Sequence, residues 1–183
     1  LNPGEGAFYG PKLEFVLRDA IGRDWQCGTL QADFNLPDRF NSTYIDENGS
    51  KSVPVLLHRA VLGSFERFIG IMLENYGGSL PFWLAPRQVA IATITDSSSE
   101  YANTLFESLE SNNIRVHLDD RNEQIGYKIR EHSLLKIPYI VAVGSKEVQN
   151  NSVSVRTFGS EKTTTMTKED FLTDCLSKNI NPS

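Results

Sequence analysis

The sequence predicts two α/β pieces in series: an antiparallel-type sheet segment, then a small α/β domain with a mixed sheet. Three observations carry this. Residues 12–34 hold two strand-like runs. Residues 63–76 switch to a helical period. From residue 89 onward, short apolar runs alternate with amphipathic stretches, which is how a sheet covered by helices is written.

The chain opens on the punctuators Pro3, Gly4, Gly6, Gly10 and Pro11, followed by a strand over 12–18. A second strand covers 24–34, with Trp25, Cys27 and Thr29 on one face and Gln26, Gly28 and Leu30 on the other, until Pro37 ends it. The polar stretch 46–50 contains Asn48-Gly49, a strong turn signal, and leads to a strand over 53–57. Phe65, Phe68, Ile69, Met72 and Leu73 then recur at helical spacing, and Gly77-Gly78 stops that helix. The stretch 77–86, with Pro81, Pro86 and an exposed-looking Phe82-Trp83, reads as a seam between domains 1–80 and 81–183. Beyond it come a strand over 89–94 and a helix over 98–112 capped by Asp96 or Ser97. A strand over 115–119, a helix over 123–135 and strands over 139–143 and 153–157 follow. A helix over 168–178 closes the series, with Thr167 at its cap and Glu169-Asp170 near its positive end.

Composition narrows the class. With 39% hydrophobic and 22% charged residues among 183, the chain is globular. No apolar run approaches the roughly 20 residues of a membrane helix, and residues 1–11 lack the basic start and apolar core of a secretory signal. The start without methionine suggests a segment upstream. Two cysteines form no disulfide framework, which fits a reducing, cytoplasmic or organellar, interior. A net charge of −5 argues against broad non-specific grip on nucleic acid, so an RNA partner would be read by a few placed groups.

Three stretches name a family. They are Glu5-Gly6-Ala7-Phe8-Tyr9-Gly10-Pro11-Lys12, the run Trp25 to Pro37 (WQCGTLQADFNLP), and His58-Arg59-Ala60-Val61-Leu62-Gly63-Ser64-Phe65-Glu66-Arg67. The third resembles motif 3 of class II aminoacyl-tRNA synthetases, and the second together with His58 resembles the threonine-specific enzymes. Beyond the seam, Trp83 to Val89, then Asp120-Arg121-Asn122-Glu123 and Gly126-Tyr127-Lys128-Ile129-Arg130, are similar to the anticodon-binding domain of the threonine, proline, histidine and glycine enzymes. The resemblance implies the end of a class II antiparallel-sheet catalytic domain joined to an anticodon-binding domain. Its activity would be ATP-dependent ligation of threonine to tRNA(Thr) through threonyl-adenylate. The partners implied are ATP with Mg2+, L-threonine and tRNA(Thr), in a homodimer formed through upstream residues. Motif 1, motif 2 and two zinc ligands of the family lie upstream of residue 1, so the chain alone is expected to be inactive. The alternative is a non-catalytic tRNA-binding or regulatory protein derived from a synthetase.

By the same resemblance, Arg67 is the catalytic cation along ATP. Charge moves onto the α-phosphate as a carboxylate attacks it, and a planar guanidinium that does not deprotonate suits that task. The bland alternative is a helix-surface arginine paired with Glu66 or Glu74. His58 is implied as a Zn2+ ligand, against the alternative of a core or capping histidine. Gln26 and Thr29 fall near ATP, Gln31 near threonine and the adenylate, and Tyr9 and Lys12 close by. A regular strand cannot aim Gln26, Thr29 and Gln31 at one ligand, but a bulge near Gly28 would. Ser64 either caps the helix or meets an anion at its N-terminus. Asn122, Glu147 and Arg156 match residues that contact anticodon bases. Asn122 follows a strand end, Glu147 and Arg156 lie in and just beyond the turn after 139–143, and a carboxylate such as Glu147 suits a base edge that carries donors. Lys128 and Lys146 are candidates for backbone phosphate, and His117 and His132 read as structural.

Overall fold

In the computed structural model, residues 3, 4, 7–160 and 162–180 are described; Glu5 and Gly6 of the opening motif lie outside them. The chain separates into two compact units, Leu1–Met72 and Leu73–Ser183.

In the first unit, β1 (Lys12–Arg18) and β2 (Asp24–Asp33) pair antiparallel. After β2 comes a one-turn helix, α1 (Leu36–Arg39), in which Pro37 occupies the first turn, where its missing N–H costs nothing. A small hairpin, β3 (Tyr44–Ile45) and β4 (Lys51–Ser52), turns at Asn48-Gly49, with Gly49 at φ +75° and the Asp46 carboxylate accepting the N–H groups of Asn48 and Ser50 at 2.9 Å each. Next, β5 (Leu56–Val61) completes a three-stranded sheet in the order β1-β2-β5. This corrects the strand expected over 53–57. Pro54 has no N–H for a ladder, so pairing starts at Leu56 and carries through His58 to Val61. The helix α2 (Phe65–Asn75) follows.

That sheet is two-faced. Cross-strand pairing puts Lys12, Glu14, Thr29, Gln31, His58 and Ala60 on one face and Leu13, Phe15, Leu57 and Val61 on the other. Each of these four apolar residues is about three-fifths exposed, and α2 buries none of its residues. Among the described residues up to Met72, only Gly28, Asp33 and Pro37 are buried. The unit therefore has ladders and turns but no apolar core of its own.

The second unit has one. After a 3-10 turn at Phe82–Leu84 it runs β6 (Val89–Thr93), α3 (Ser99–Ser111), β7 (Val116–Asp119), α4 (Ile125–Leu134), β8 (Tyr139–Val143), α5 (Ser145–Asn150), β9 (Ser152–Thr157), β10 (Thr163–Thr167) and α6 (Lys168–Lys178). The sheet order is β10-β9-β8-β6-β7, parallel across β8-β6-β7 and antiparallel across β8-β9-β10, the mixed sheet the alternation predicts. Val89, Ile91, Val141, Val143, Val153 and Val155 point to one face, where Leu105 and Leu109 of α3 and Phe171 and Cys175 of α6 close over them. Burial pushes the Cys175 thiol up to about 12, so it packs as an unreactive small apolar group.

Several details differ from the sequence reading. Phe82 is buried against Tyr139, ring centroids 5.4 Å apart, rather than exposed. Asp96 and Ser97 fall in a 3-10 turn, and Ser98 precedes α3, its hydroxyl donating to the carbonyls of Thr95 and Val143. Thr167 does cap α6, accepting the Asp170 N–H at 3.1 Å. Short α5 and the Thr-rich β10 are absent from the sequence reading because neither carries an apolar period. Among the described residues no helix is long and apolar enough to cross a membrane.

Phe171 is wholly buried and stacks 5.7 Å from Tyr139. Replacing it, Phe171→Ala, is expected to lower the unfolding free energy of this unit by about 3–5 kcal/mol, measured by urea denaturation followed through far-ultraviolet circular dichroism.

Candidate functional site

The first unit gathers its polar groups by one irregularity in β2. Phe15 pairs with Gly28, but the next residue of β1, Val16, pairs with Gln26, so Cys27 is an extra residue in the ladder. Without it Gln26 would face away from Thr29. With it, Gln26 joins Thr29 and Gln31 on the polar face. Gly28 is suited to this crowded point, since a Cβ there would lie 3.2 Å from the Ala60 carbonyl oxygen.

On that face lies a cleft of about 250 Å³ lined by Gln26, Gly28, Thr29, Ala60, Gly63, Ser64 and Arg67. The turn into α2 shapes its floor. Gly63 has φ +74°, and a Cβ would come within 2.9 Å of the Gln26 carbonyl oxygen. Ser64 caps α2, its hydroxyl accepting the Arg67 N–H at 3.2 Å, and lines the cleft as well. Arg67 is exposed, and among the described residues no carboxylate pairs with its guanidinium, so the pairing with Glu66 or Glu74 is not what holds it. An unpaired guanidinium beside a helix N-terminus is a place for an anion.

His58, Gln31 and Tyr9 form a second group on the same face. Gln31 and His58 sit directly opposite each other on β2 and β5, the Tyr9 hydroxyl donates to Gln31 Oε1 at 3.4 Å, and the Tyr9 and His58 rings lie 6.1 Å apart. His58 does not line the Arg67 cleft, but Ala60, two residues along the same strand face, does. Lys12 pairs with Glu14, which also accepts from the Gln26 side-chain amide at 3.2 Å.

The sequence reading missed Asp33. Its wholly buried carboxylate takes the N–H groups of Asn35 (2.9 Å) and Leu36 (3.0 Å) on Oδ1 and His58 Nε2 (2.9 Å) on Oδ2. Burial alone would raise its pKa, but those N–H groups and the histidine hold it below the usual carboxylate range. The visible signal was its period-two spacing from Thr29 and Gln31. With Nε2 engaged, Nδ1 is the His58 nitrogen left without a partner among the described residues. Those residues contain no group of three His, Cys, Asp or Glu side chains able to hold a metal ion.

In the second unit the face opposite the core is only partly covered. The helix α4 packs on β6 and β8 and short α5 on β9 and β8, so that Ser154 and Arg156 are half-buried while Thr163 and Thr165 of β10 are exposed. Glu147 lies in α5 rather than in a turn, and Arg156 lies within β9. Glu147 Oε2 accepts the Gly144 N–H at 2.9 Å, closing the first turn of α5, and its Oε1 accepts from the Ser154 hydroxyl at 2.7 Å. Ser154 and Arg156 share a face of β9, so Glu147 and Arg156 belong to one surface. Arg156 also lines a cleft of about 270 Å³ with Ser133, Ile140 and the 157–160 turn. Asn122 is exposed between β7 and α4, and no described contact joins it to the other two.

Lys128 is not a phosphate ligand. It is 1% exposed and its ammonium donates to the carbonyls of Thr93 and Asp119, both at 3.0 Å, and to the Thr93 hydroxyl at 3.3 Å. The Asp119 carboxylate binds the Arg121 guanidinium at 2.8 and 2.7 Å and His132 Nε2 at 2.8 Å. His117 stacks edge-on to His132, ring centroids 5.5 Å apart.

The Arg121 guanidinium holds the Asp119 carboxyl well below the usual range against the cost of burial, and His132 adds to the effect. A depressed folded pKa gives stability that is present above the unfolded value, about 3.9, and lost as pH falls from there toward the folded value. Urea midpoints of the wild-type unit are therefore expected to drop between pH 5 and 2, and Asp119→Asn to flatten that decline while lowering stability at neutral pH.

Two family models match this chain: the tRNA synthetase class II core domain (G, H, P, S and T) over residues 2–76, and the anticodon binding domain over residues 88–178. Among curated proteins, the threonine–tRNA ligase of Caulobacter sp. (strain K31) is 61% identical over 93% of this chain and 26% of its own length. That of Francisella philomiragia is 57% identical over 93% and 27%, and that of Rhodospirillum rubrum 53% identical over 100% and 28%. The chain thus spans about a quarter of the length of the curated relatives it matches. The crystal structure of the RNA binding domain of threonyl-tRNA synthetase from Cryptosporidium parvum Iowa II superposes with a TM-score of 0.82 at 39% identity, covering 100% of this chain and 46% of that one.

Proposed function

The chain belongs to the class II aminoacyl-tRNA synthetases, in the threonine–tRNA ligase branch, and from that premise we propose that it supplies one wall of the adenylation site and the anticodon reader of an enzyme joining threonine to tRNA(Thr). The functional boundary falls at the seam, with residues 1–80 serving catalysis and 81–183 serving tRNA. The observation that carries the reading is the bulge-built cleft, in which Gln26, Thr29 and Ser64 converge on Arg67, whose guanidinium has no carboxylate partner among the described residues.

In this reading ATP, with Mg2+, lies along the cleft. Arg67 meets the charge that grows on the α-phosphate as the threonine carboxylate attacks, a cation that stays charged throughout. The amides and hydroxyl of Gln26, Thr29 and Gln31 orient nucleotide and adenylate, with Tyr9 and Lys12 alongside. His58 fits as one zinc ligand: its Nε2 is held by Asp33 and its Nδ1 is left over. The remaining ligands would come from outside this chain. Zinc, when bound, supplies a Lewis acid for the threonine amino group and hydroxyl, which valine cannot satisfy. Asn122, Glu147 and Arg156 read anticodon bases, and dimer contacts come from residues beyond this chain. The exposed apolar sheet face supports the same reading, because it needs a covering layer to be stable in water. The enzyme acts with the translation machinery, in the cytoplasm or an organelle.

The test uses the full-length protein that carries this sequence. Threonine should drive ATP–pyrophosphate exchange, and the purified protein should hold zinc that His58→Ala loses. Arg67→Ala is expected to reduce exchange at least about 100-fold, whereas Asn122→Ala spares exchange and lowers tRNA charging about tenfold. Exchange driven by proline would overturn the assignment. The 183-residue chain alone is expected to show no exchange.

A further inference from the structure

Lys128 and Asp119 are charged, almost fully buried, and without a part in the chemistry above. Burying them costs several kcal/mol of desolvation per ion unless each is well bonded. Both are. The ammonium of Lys128 spends its donors on the last carbonyls of two neighbouring parallel strands, Thr93 of β6 and Asp119 of β7. The Asp119 carboxylate lies 3.9 Å from the same ammonium and makes its shorter bonds elsewhere. Two parallel bonds grip the Arg121 fork, and one more reaches His132 on α4. Arg121 is tied again, at 2.6 Å, to Glu131, also on α4.

The chain from 119 to 122 is thereby fixed at both ends of a single step. Residue 119 is the last of β7 and is bonded through its carbonyl. Residue 121, half exposed, is clamped to the sheet by a planar two-point contact and to the helix by a second carboxylate. Asn122 is the next residue, exposed, and receives no described contact of its own. The backbone that carries it is therefore placed by the clamp on Arg121. We propose that Asp119, acting through Arg121, is the positioning residue that aims Asn122 at an anticodon base, with Lys128 anchoring the strand end from which the loop departs. This rests on the reading of Asn122 as a base contact. A loop amide discriminates bases only when donor and acceptor arrive in fixed order, and a free loop would present both orders.

The experiment measures charging of the full-length enzyme with tRNA(Thr) and with the same tRNA substituted at its middle anticodon base, using threonine-dependent exchange as the reference for intact chemistry. Asp119→Asn keeps the shape and breaks the charged fork. Arg121→Lys, at a more exposed position, keeps the charge and loses the fork, and serves if the first variant fails to fold. Each is expected to raise the KM for the correct tRNA about tenfold relative to exchange, and to shrink the preference for the correct base by a similar factor. Combined with Asn122→Ala, neither is expected to add a further loss. Loss of charging with the base preference intact, or additive losses in the double variants, would overturn the proposal and leave the network a stability element. If Asn122→Ala alone leaves charging and base preference unchanged, the reading of Asn122 itself falls, a different result from either.

Discussion

One unmatched residue in a strand orders the first unit. Cys27 has no partner in β1, and side chains in a strand alternate with a period of two, so its insertion reverses the face of everything before it. Gln26 is carried onto the face that holds Thr29, Gln31 and Asp33, and the polar half of the sheet becomes continuous. The turn at Leu62-Gly63 then sets the start of α2, with Ser64 and Arg67, beside the same cleft, both turn residues at positive φ, with no room for a Cβ at Gly63 above the Gln26 carbonyl. Bulge and turn together make a cleft from residues that a regular strand would scatter.

The two units are stabilised by different means. In the second, a five-stranded sheet buries its valines and isoleucine under α3 and α6, and burial of apolar area supplies most of the stability. In the first, Pro37 is the only buried apolar side chain among the described residues, and what order there is comes from ladder hydrogen bonds, Asx-type turns at Asp33 and Asp46, and the Arg18–Asp24 and Arg23–Asp19 ion pairs at the sheet end. Surface ion pairs contribute about 0–1 kcal/mol each, too little to stand in for a core. The exposed Leu13, Phe15, Leu57 and Val61 are where a core would form against a further layer.

Buried carboxylates recur as organisers in both units. Asp33 ends β2, starts the α1 turn and holds His58. Asp119 ends β7, holds Arg121 and touches α4 through His132. In each case one ionised side chain at a strand terminus, where backbone groups run out of ladder partners, reaches a candidate site: Asp33 holds His58 on the neighbouring strand, and Asp119 holds the loop that leads to Asn122. Each is acceptor-only, so it selects which donors surround it and fixes their directions.

Period and punctuation in the sequence determined the strands Lys12–Arg18 and Tyr139–Val143, the helix Lys168–Lys178 with its Thr167 cap, the Asn48-Gly49 turn and the two-part organisation, because local propensity and burial pattern agree there. The family resemblance, not the periodicity, pointed to Gln26, Thr29, Ser64 and Arg67, and bringing Gln26 and Thr29 to one face called for a bulge near Gly28. Other features depended on long-range packing. Phe82 went inward, α5 and β10 formed without an apolar period, and Lys128 turned from solvent to the carbonyls of two strand ends. The partners that decide these cases are distant in sequence, Thr93 for Lys128 and Tyr139 for Phe82, and a local pattern carries no record of a neighbour brought by the fold.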